Sequence, residues 1–154
     1  MSHKALFLDR DGVINQEKNY VFRISDFEFN KNIFQLCSYF SELDYKIIIV
    51  TNQAGIARGY YSIDDFNKLT AWMLQQFKKN SIIIDDIYYC PHHPKFTGIC
   101  NCRKPEPGLI LEAKNKHNLN LYKSILIGDK QSDIQAGRNA GILNNILIKP
   151  NSIN

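Results

Sequence analysis

Ala5-Leu6-Phe7-Leu8-Asp9-Arg10-Asp11-Gly12 joins an unbroken apolar run to two carboxylates and a glycine. Four apolar residues in a row leave no polar face, the pattern of a strand covered on both sides in a parallel sheet. The figure recurs in Ile47-Ile48-Ile49-Val50, Ile87-Tyr88-Tyr89, Ile125-Leu126-Ile127 and Ile146-Leu147-Ile148. Between these runs, Ile33-Phe34-Leu36-Cys37-Phe40 and Phe66-Leu69-Thr70-Met73-Leu74-Phe77 repeat at helical spacing. Ser62 with Asp65 is patterned as a helix cap and its reciprocal partner, Pro107 suits a helix start, and Ser132 to Ala140 suggests a last short helix. Strand and helix therefore alternate, which predicts an α/β sandwich of three layers around a mostly parallel sheet.

Ligands of such sheets gather at the carboxyl ends of the strands. The residues there are Asp9-Arg10-Asp11, Thr51-Asn52-Gln53, Cys90-Pro91-His92 and Gly128-Asp129-Lys130. Asp9 and Asp11 supply one carboxylate to attack phosphorus and another to handle a proton, although Asp-Gly is also a common surface turn. Asp129 and Asp133 add the hard oxygens that magnesium prefers, and Asp133 or Ser132 also reads as a helix cap. Thr51-Asn52-Gln53 and the loop Gly55-Ile56-Ala57-Arg58-Gly59 offer hydroxyl, amide and cationic groups to phosphate, or form an ordinary strand-to-helix connection.

Cys90, Cys100 and Cys102 crowd into one short segment with His92 and His93. Three thiolates and one imidazole make a closed tetrahedral set, typical of structural zinc. Pro94, Gly98 and their small neighbours have little power to form a core, so a metal would supply the order that packing cannot. Arg103 and Lys104 follow the last cysteine directly and are placed to meet an anion, or form a surface charge pair. Cys37 falls on an apolar helix face and is expected in the core.

The 154 residues suit one domain, 1–154, with the zinc loop at about 90–104. The 44% apolar and 22% charged content is that of an ordinary folded protein. No apolar run approaches the ~20 residues of a membrane span, and no secretory leader opens the chain, so a cytoplasmic protein is expected. A formal charge of +4 spread over scattered lysines favours a small anionic ligand over nucleic acid or a membrane.

Asp9-x-Asp11-Gly12-x-Ile14-Asn15, Thr51-Asn52-Gln53-x-Gly55-Ile56-x-Arg58-Gly59, Lys104 and Gly128-Asp129-x-x-x-Asp133 resemble the four ordered motifs of haloacid dehalogenase superfamily phosphatases. Within that superfamily, Tyr88-Tyr89-Cys90-Pro91-His92-His93-Pro94 and Cys100-Asn101-Cys102-Arg103-Lys104-Pro105 resemble the heptose 1,7-bisphosphate 7-phosphatases. The resemblance implies a Rossmann-like fold and magnesium-dependent removal of the 7-phosphate of D-glycero-D-manno-heptose 1,7-bisphosphate, for the heptose of surface lipopolysaccharide. It implies Asp9 as nucleophile, Asp11 as general acid and base, and Thr51 and Lys104 as stabilisers of the phosphoryl group. Asp9, Asp11 and Asp129 would hold magnesium, and Cys90, His92, Cys100 and Cys102 zinc. Substrate contacts would come from Glu17, Lys18, Asn19, Tyr20, Thr51, Asn52, Gln53, Ala54, Arg103, Lys104 and Lys130.

The segment from Glu17 to Phe29 is too short for a large cap domain, so the site is expected to be open, its selectivity vested in loops. A monomer is expected. Relatives commonly continue through a further helix and strand, so the sheet is expected to lack an edge element. A histidinol-phosphate phosphatase shares this fold and zinc loop, and a non-catalytic zinc-bearing interaction module is the alternative of another class.

Overall fold

The computed structural model describes residues 2–153. Five parallel strands form its sheet: β1 (Lys4–Leu8), β2 (Tyr45–Asn52), β3 (Asp86–Cys90), β4 (Ile125–Gly128) and β5 (Asn144–Leu147). They lie in the order β3-β2-β1-β4-β5, with β1 central and bonded to both β2 and β4. The helices are α1 (Ile33–Glu42), α2 (Ile63–Lys79), α3 (Pro94–Thr97), α4 (Gly108–His117) and α5 (Gln131–Ala140).

Alternation along each strand divides the core into two layers. Leu6, Leu8, Ile47 and Ile49 pack against Ile33 and Cys37 of α1 and Leu69, Met73 and Phe77 of α2. Ala5, Phe7, Ile48 and Val50 face the other way, against Leu109, Ile110 and Ala113 of α4 and Ile134 and Ala136 of α5. With both faces covered, β1 and the middle of β2 are buried, as their unbroken apolar runs require.

The helix starts follow local chemistry. Ser62 and Asp65 form the reciprocal cap of α2: the Ser62 hydroxyl accepts from the Asp65 amide at 3.0 Å, and the Asp65 carboxylate from the Ser62 amide at 2.9 Å. Pro107 stands immediately before α4.

The last strand differs from expectation. It spans Asn144–Leu147 rather than the apolar run ending at Ile148, because β5 is an edge strand whose residues are mostly exposed and need no apolar pattern. Between β1 and α1, residues 9–32 hold a short 3-10 turn at Ile24–Asp26 and isolated bridges Asp11–Asn15 and Asn15–Phe29. Among the described residues, no helix is long and apolar enough to cross a membrane.

Candidate active site

Strand order reverses between β1 and β4, and their carboxyl ends deliver Asp9 and Asp129 to one place. Asp9, Asp129 and Asp133 each offer a carboxylate oxygen within 4.8 Å of the others, and all three residues are buried. One ammonium reaches them. Lys104 Nζ lies 3.1 Å from Asp9 Oδ1 and 2.5 Å from Asp133 Oδ1, and donates to the Val50 carbonyl at 3.1 Å. Three buried carboxylates thus face a single buried cation.

The three carboxylates are not equivalent. Asp133 is fully engaged: Oδ1 pairs with Lys104, and Oδ2 accepts from the Asp129 and Lys130 amides, each at 3.1 Å. It closes the first turn of α5 from the third helical position, with Lys130 rather than Ser132 or Asp133 at the N-cap. Asp9 Oδ1 accepts from the Arg10 amide at 2.9 Å as well as facing Lys104. Both oxygens of Asp129 are buried with no hydrogen-bond donor.

Electrostatics follow from this crowding. Burial pushes the Asp9 carboxyl well above the usual carboxylate range; Lys104 opposes the shift, and Asp133, Asp11 and Asp129 add to it. Burial also raises Asp129. For Lys104 burial works against the charge, but Asp9 and Asp133 outweigh it and hold the ammonium above its ordinary value.

A divalent cation answers the orphaned Asp129 oxygens and the excess negative charge, so the donor set fits magnesium. Gly12 permits the approach: at φ +90°, a Cβ there would lie 2.1 Å from Asp129 Oδ2.

Of the three side chains expected to converge, those of Asp9 and Asp129 meet, and that of Asp11 faces Arg10. The Asp11 carboxylate stands outside the cluster, and Asp133 takes the third place. The cause is Arg10, a buried guanidinium that needs a counter-charge: its Nη2 lies 2.9 Å from Asp11 Oδ1 and donates to the Val21 carbonyl at 2.7 Å. Asn15 Nδ2 donates to the same Asp11 oxygen at 3.0 Å, and Gln53 Nε2 to Oδ2 at 3.1 Å.

The remaining expected residues are placed as follows. Thr51 is buried at the end of β2, where its hydroxyl accepts from Gln53 Nε2 at 2.9 Å. Asn52 Oδ1 accepts from the Lys104 amide at 3.1 Å, tying the two loops together. Ala54 is half-buried in the turn that follows, and Lys130 is exposed beside Asp129. Glu17 Oε1 accepts from the Asn19 amide at 2.9 Å; Asn19 and Tyr20 both hold positive φ, and the Tyr20 ring meets Tyr60 edge-on. Lys18 is exposed.

Beside this centre, the Cys100 sulfur lies 3.6 Å from that of Cys90 and 3.5 Å from that of Cys102, and the Cys90 and Cys102 sulfurs are in contact. The expected fourth donor is not among them: the His92 side chain stands outside the cluster, and its carbonyl accepts from Arg103 Nη1 at 3.4 Å. His93 caps α3 through Nδ1 and meets Arg58 Nη2 at 3.4 Å through Nε2. The Gln53 amide donates to the Cys90 carbonyl at 2.8 Å, so this loop and the Thr51 loop are one assembly.

Sequence reasoning gave no role to Arg10, Asn15 or Tyr61, and offered Asp133 both as a magnesium ligand and as a helix cap. The signal for Arg10 was present: a guanidinium at a buried strand end needs a counter-charge, and a carboxylate is adjacent to it. Tyr61 carried none, being one aromatic in a tyrosine pair before a helix.

Residues 101–150 match the family model described as HAD-hydrolase-like. A Campylobacter jejuni protein named D-glycero-alpha-D-manno-heptose-1,7-bisphosphate 7-phosphatase is 55% identical over 148 residues, covering 96% of this chain and 84% of that one. A Helicobacter pylori protein named for the beta anomer of the same substrate is 48% identical over 153 residues, covering 99% and 87%. The crystal structure of D,D-heptose 1,7-bisphosphate phosphatase from B. bronchiseptica, complexed with magnesium and phosphate, superposes with a TM-score of 0.84 at 30% identity. That match covers 90% of this chain and 77% of the other.

Proposed function

The chain belongs to the heptose-1,7-bisphosphate 7-phosphatases among the HAD-like hydrolases, and from that membership we propose that it removes the 7-phosphate of its sugar through a phosphoryl group carried on Asp9. The observation that carries the reading is the pair of orphaned Asp129 oxygens beside Asp9 and Lys104, a buried site short of positive charge.

Lys104 and the Arg10 amide both engage Asp9 Oδ1, which leaves Oδ2 to attack phosphorus. As the Oδ2–P bond forms, the bond from phosphorus to the sugar O7 breaks, and Asp11 delivers a proton to O7. Asp11 then takes a proton from water, whose oxygen attacks the phosphorus of the aspartyl phosphate. The Oδ2–P bond breaks, inorganic phosphate leaves, and the Asp9 carboxylate is restored. Thr51 and Lys104 stabilise charge on the phosphoryl oxygens, in a reaction that depends on positioning and electrostatics. Asp9, Asp11 and Asp129 would hold magnesium, which when bound supplies further positive charge at those oxygens.

Glu17, Lys18, Asn19, Tyr20, Asn52, Gln53, Ala54, Arg103 and Lys130 form the substrate contacts of this reading. Zinc held by Cys90, Cys100, Cys102 and an inward-turned His92 would order the loop that carries Arg103 and Lys104. Metal analysis of protein purified without chelator tests this: one zinc per chain is expected, whereas a mass two units below the reduced chain with no zinc would establish a Cys90–Cys102 disulfide instead. The reading places a monomeric single-domain enzyme, residues 1–154, in the cytoplasm, supplying heptose for lipopolysaccharide.

The test of function is magnesium-dependent phosphate release from the alpha and beta heptose 1,7-bisphosphates and from histidinol phosphate, compared as kcat/KM. A preference for histidinol phosphate would overturn the substrate, and no release from any sugar phosphate would overturn the enzyme.

A further inference from the structure

The Tyr61 ring is buried beside the centre, stacked on Phe22 with ring centroids 5.1 Å apart. Gly55 makes room for it: a Cβ at that position would lie 2.2 Å from Tyr61 Cε1. The Tyr61 hydroxyl donates to Gln53 Oε1. That oxygen can only accept and the phenol has one proton, so this contact decides which end of the Gln53 amide faces which neighbour. With Oε1 turned to Tyr61, Nε2 spends its two hydrogens on Asp11 Oδ2 at 3.1 Å and Thr51 Oγ1 at 2.9 Å. Asp11 Oδ1 is held from the other side by Arg10 and Asn15. Burial, opposed by the nearby Arg10, pushes the Tyr61 hydroxyl above the ordinary tyrosine range, which keeps it a donor.

We infer that Tyr61 is a positioning residue for the proton-transfer step: by fixing the Gln53 amide, it holds the Asp11 carboxylate in the orientation that serves the leaving oxygen. Without the hydroxyl, Gln53 Oε1 is a buried acceptor with no donor, and the amide turns to find one. Asp11 Oδ2 then loses one of its two donors and keeps only Arg10 Nη2, at 3.1 Å, so that the carboxylate follows Arg10 and Asn15. The inference rests on the role of Asp11 proposed above.

The test exploits leaving-group chemistry. An alkyl leaving oxygen needs a proton as its bond to phosphorus breaks, whereas p-nitrophenolate departs without one. Tyr61→Phe and, as a second variant that also lacks the hydroxyl, Tyr61→Met are each assayed by rapid quench on heptose 1,7-bisphosphate and by the pre-steady-state burst on p-nitrophenyl phosphate. The expected result is about a 10-fold loss in the phosphorylation rate with the sugar substrate, a fraction of what a general acid contributes, and a p-nitrophenol burst unchanged within about twofold. The burst itself reports a folded, phosphorylatable enzyme. Equal loss on both substrates, or no loss on either, overturns the inference, since the contact would then act through Thr51, through folding, or not at all. Asp11→Asn is run in parallel. If its loss is leaving-group selective and that of Tyr61→Phe is not, the positioning role alone falls; if its loss is not selective, the acid role of Asp11 falls and the positioning role with it.

Discussion

Replacing Asp129 by asparagine should stabilise the metal-free protein while destroying its response to magnesium. Asp129 is 9% exposed, and neither carboxylate oxygen has a donor. A buried polar group left unsatisfied costs about 1–3 kcal/mol, and a charged one more. Asparagine keeps the shape, removes the charge that Asp133 repels, and brings an amide able to donate to Asp9. A gain of about 1–2 kcal/mol in unfolding free energy is therefore expected at pH 8 in chelator.

The sign with pH is set by the direction of the shift. Burial raises the Asp129 carboxyl, so protonation favours the fold, and that contribution is lost as pH rises through the raised value. The advantage of Asp129→Asn should accordingly be largest at high pH and vanish in acid. Magnesium reverses the order. The unsubstituted protein gains about 2.7 kcal/mol at a free concentration one hundred times Kd, and the variant little. Urea unfolding followed by circular dichroism, in chelator from pH 5 to 8 and then across a magnesium series, measures both effects. A variant less stable than its parent in chelator at pH 8, or one stabilised equally by magnesium, would refute the claim that Asp129 is held for a cation.

Asp9→Asn should abolish phosphate release while leaving the melting temperature within a few degrees, because Lys104 retains Asp133 as partner; residual turnover above a thousandth of the parent rate would remove Asp9 from the nucleophile role. Far from the site, the Asp86 carboxylate is half-buried, accepting from His117 at 2.7 Å and from the Tyr88 hydroxyl at 2.9 Å, with Lys116 at 2.9 Å. Burial opposes its charge, but Lys116, His117 and Tyr88 outweigh that and lower its pKa to about 2. A lowered carboxyl stabilises above its unfolded value and loses that contribution as pH falls, here between about 4 and about 2. Asp86→Asn should cost on the order of 2 kcal/mol at pH 7 in urea unfolding and nothing at pH 2; a cost independent of pH would refute the assignment.

Much of the fold was legible because its central strands are covered on both faces, and burial on both faces leaves apolar residues no alternative. Where that constraint lapses the pattern lapses too: β5 is an edge strand, and Asn144 and Asn145 pair with Ile125 and Leu126 through backbone groups alone. The positions of Asp9, Thr51 and Asp129 were legible for the same reason, each standing immediately after a run whose length the sheet determines.

What sequence did not convey is where the side chains point once the strand has ended. Asp9 and Asp11 share a parity that would send both carboxylates to one ion if the strand continued, but the chain turns at Gly12 and the direction of Asp11 passes to its neighbours. Arg10, 2% exposed, must find a negative partner within reach, and Asp11 is adjacent. The pairing withdraws one carboxylate from the cation cluster, and in the proposed mechanism that carboxylate is the one left for proton transfer. The different surroundings of the two aspartates are thus imposed by the arginine between them, whose guanidinium takes Asp11 and whose amide takes Asp9. An Asp-x-Asp pattern announces two carboxylates at a strand end; the intervening side chain separates their surroundings.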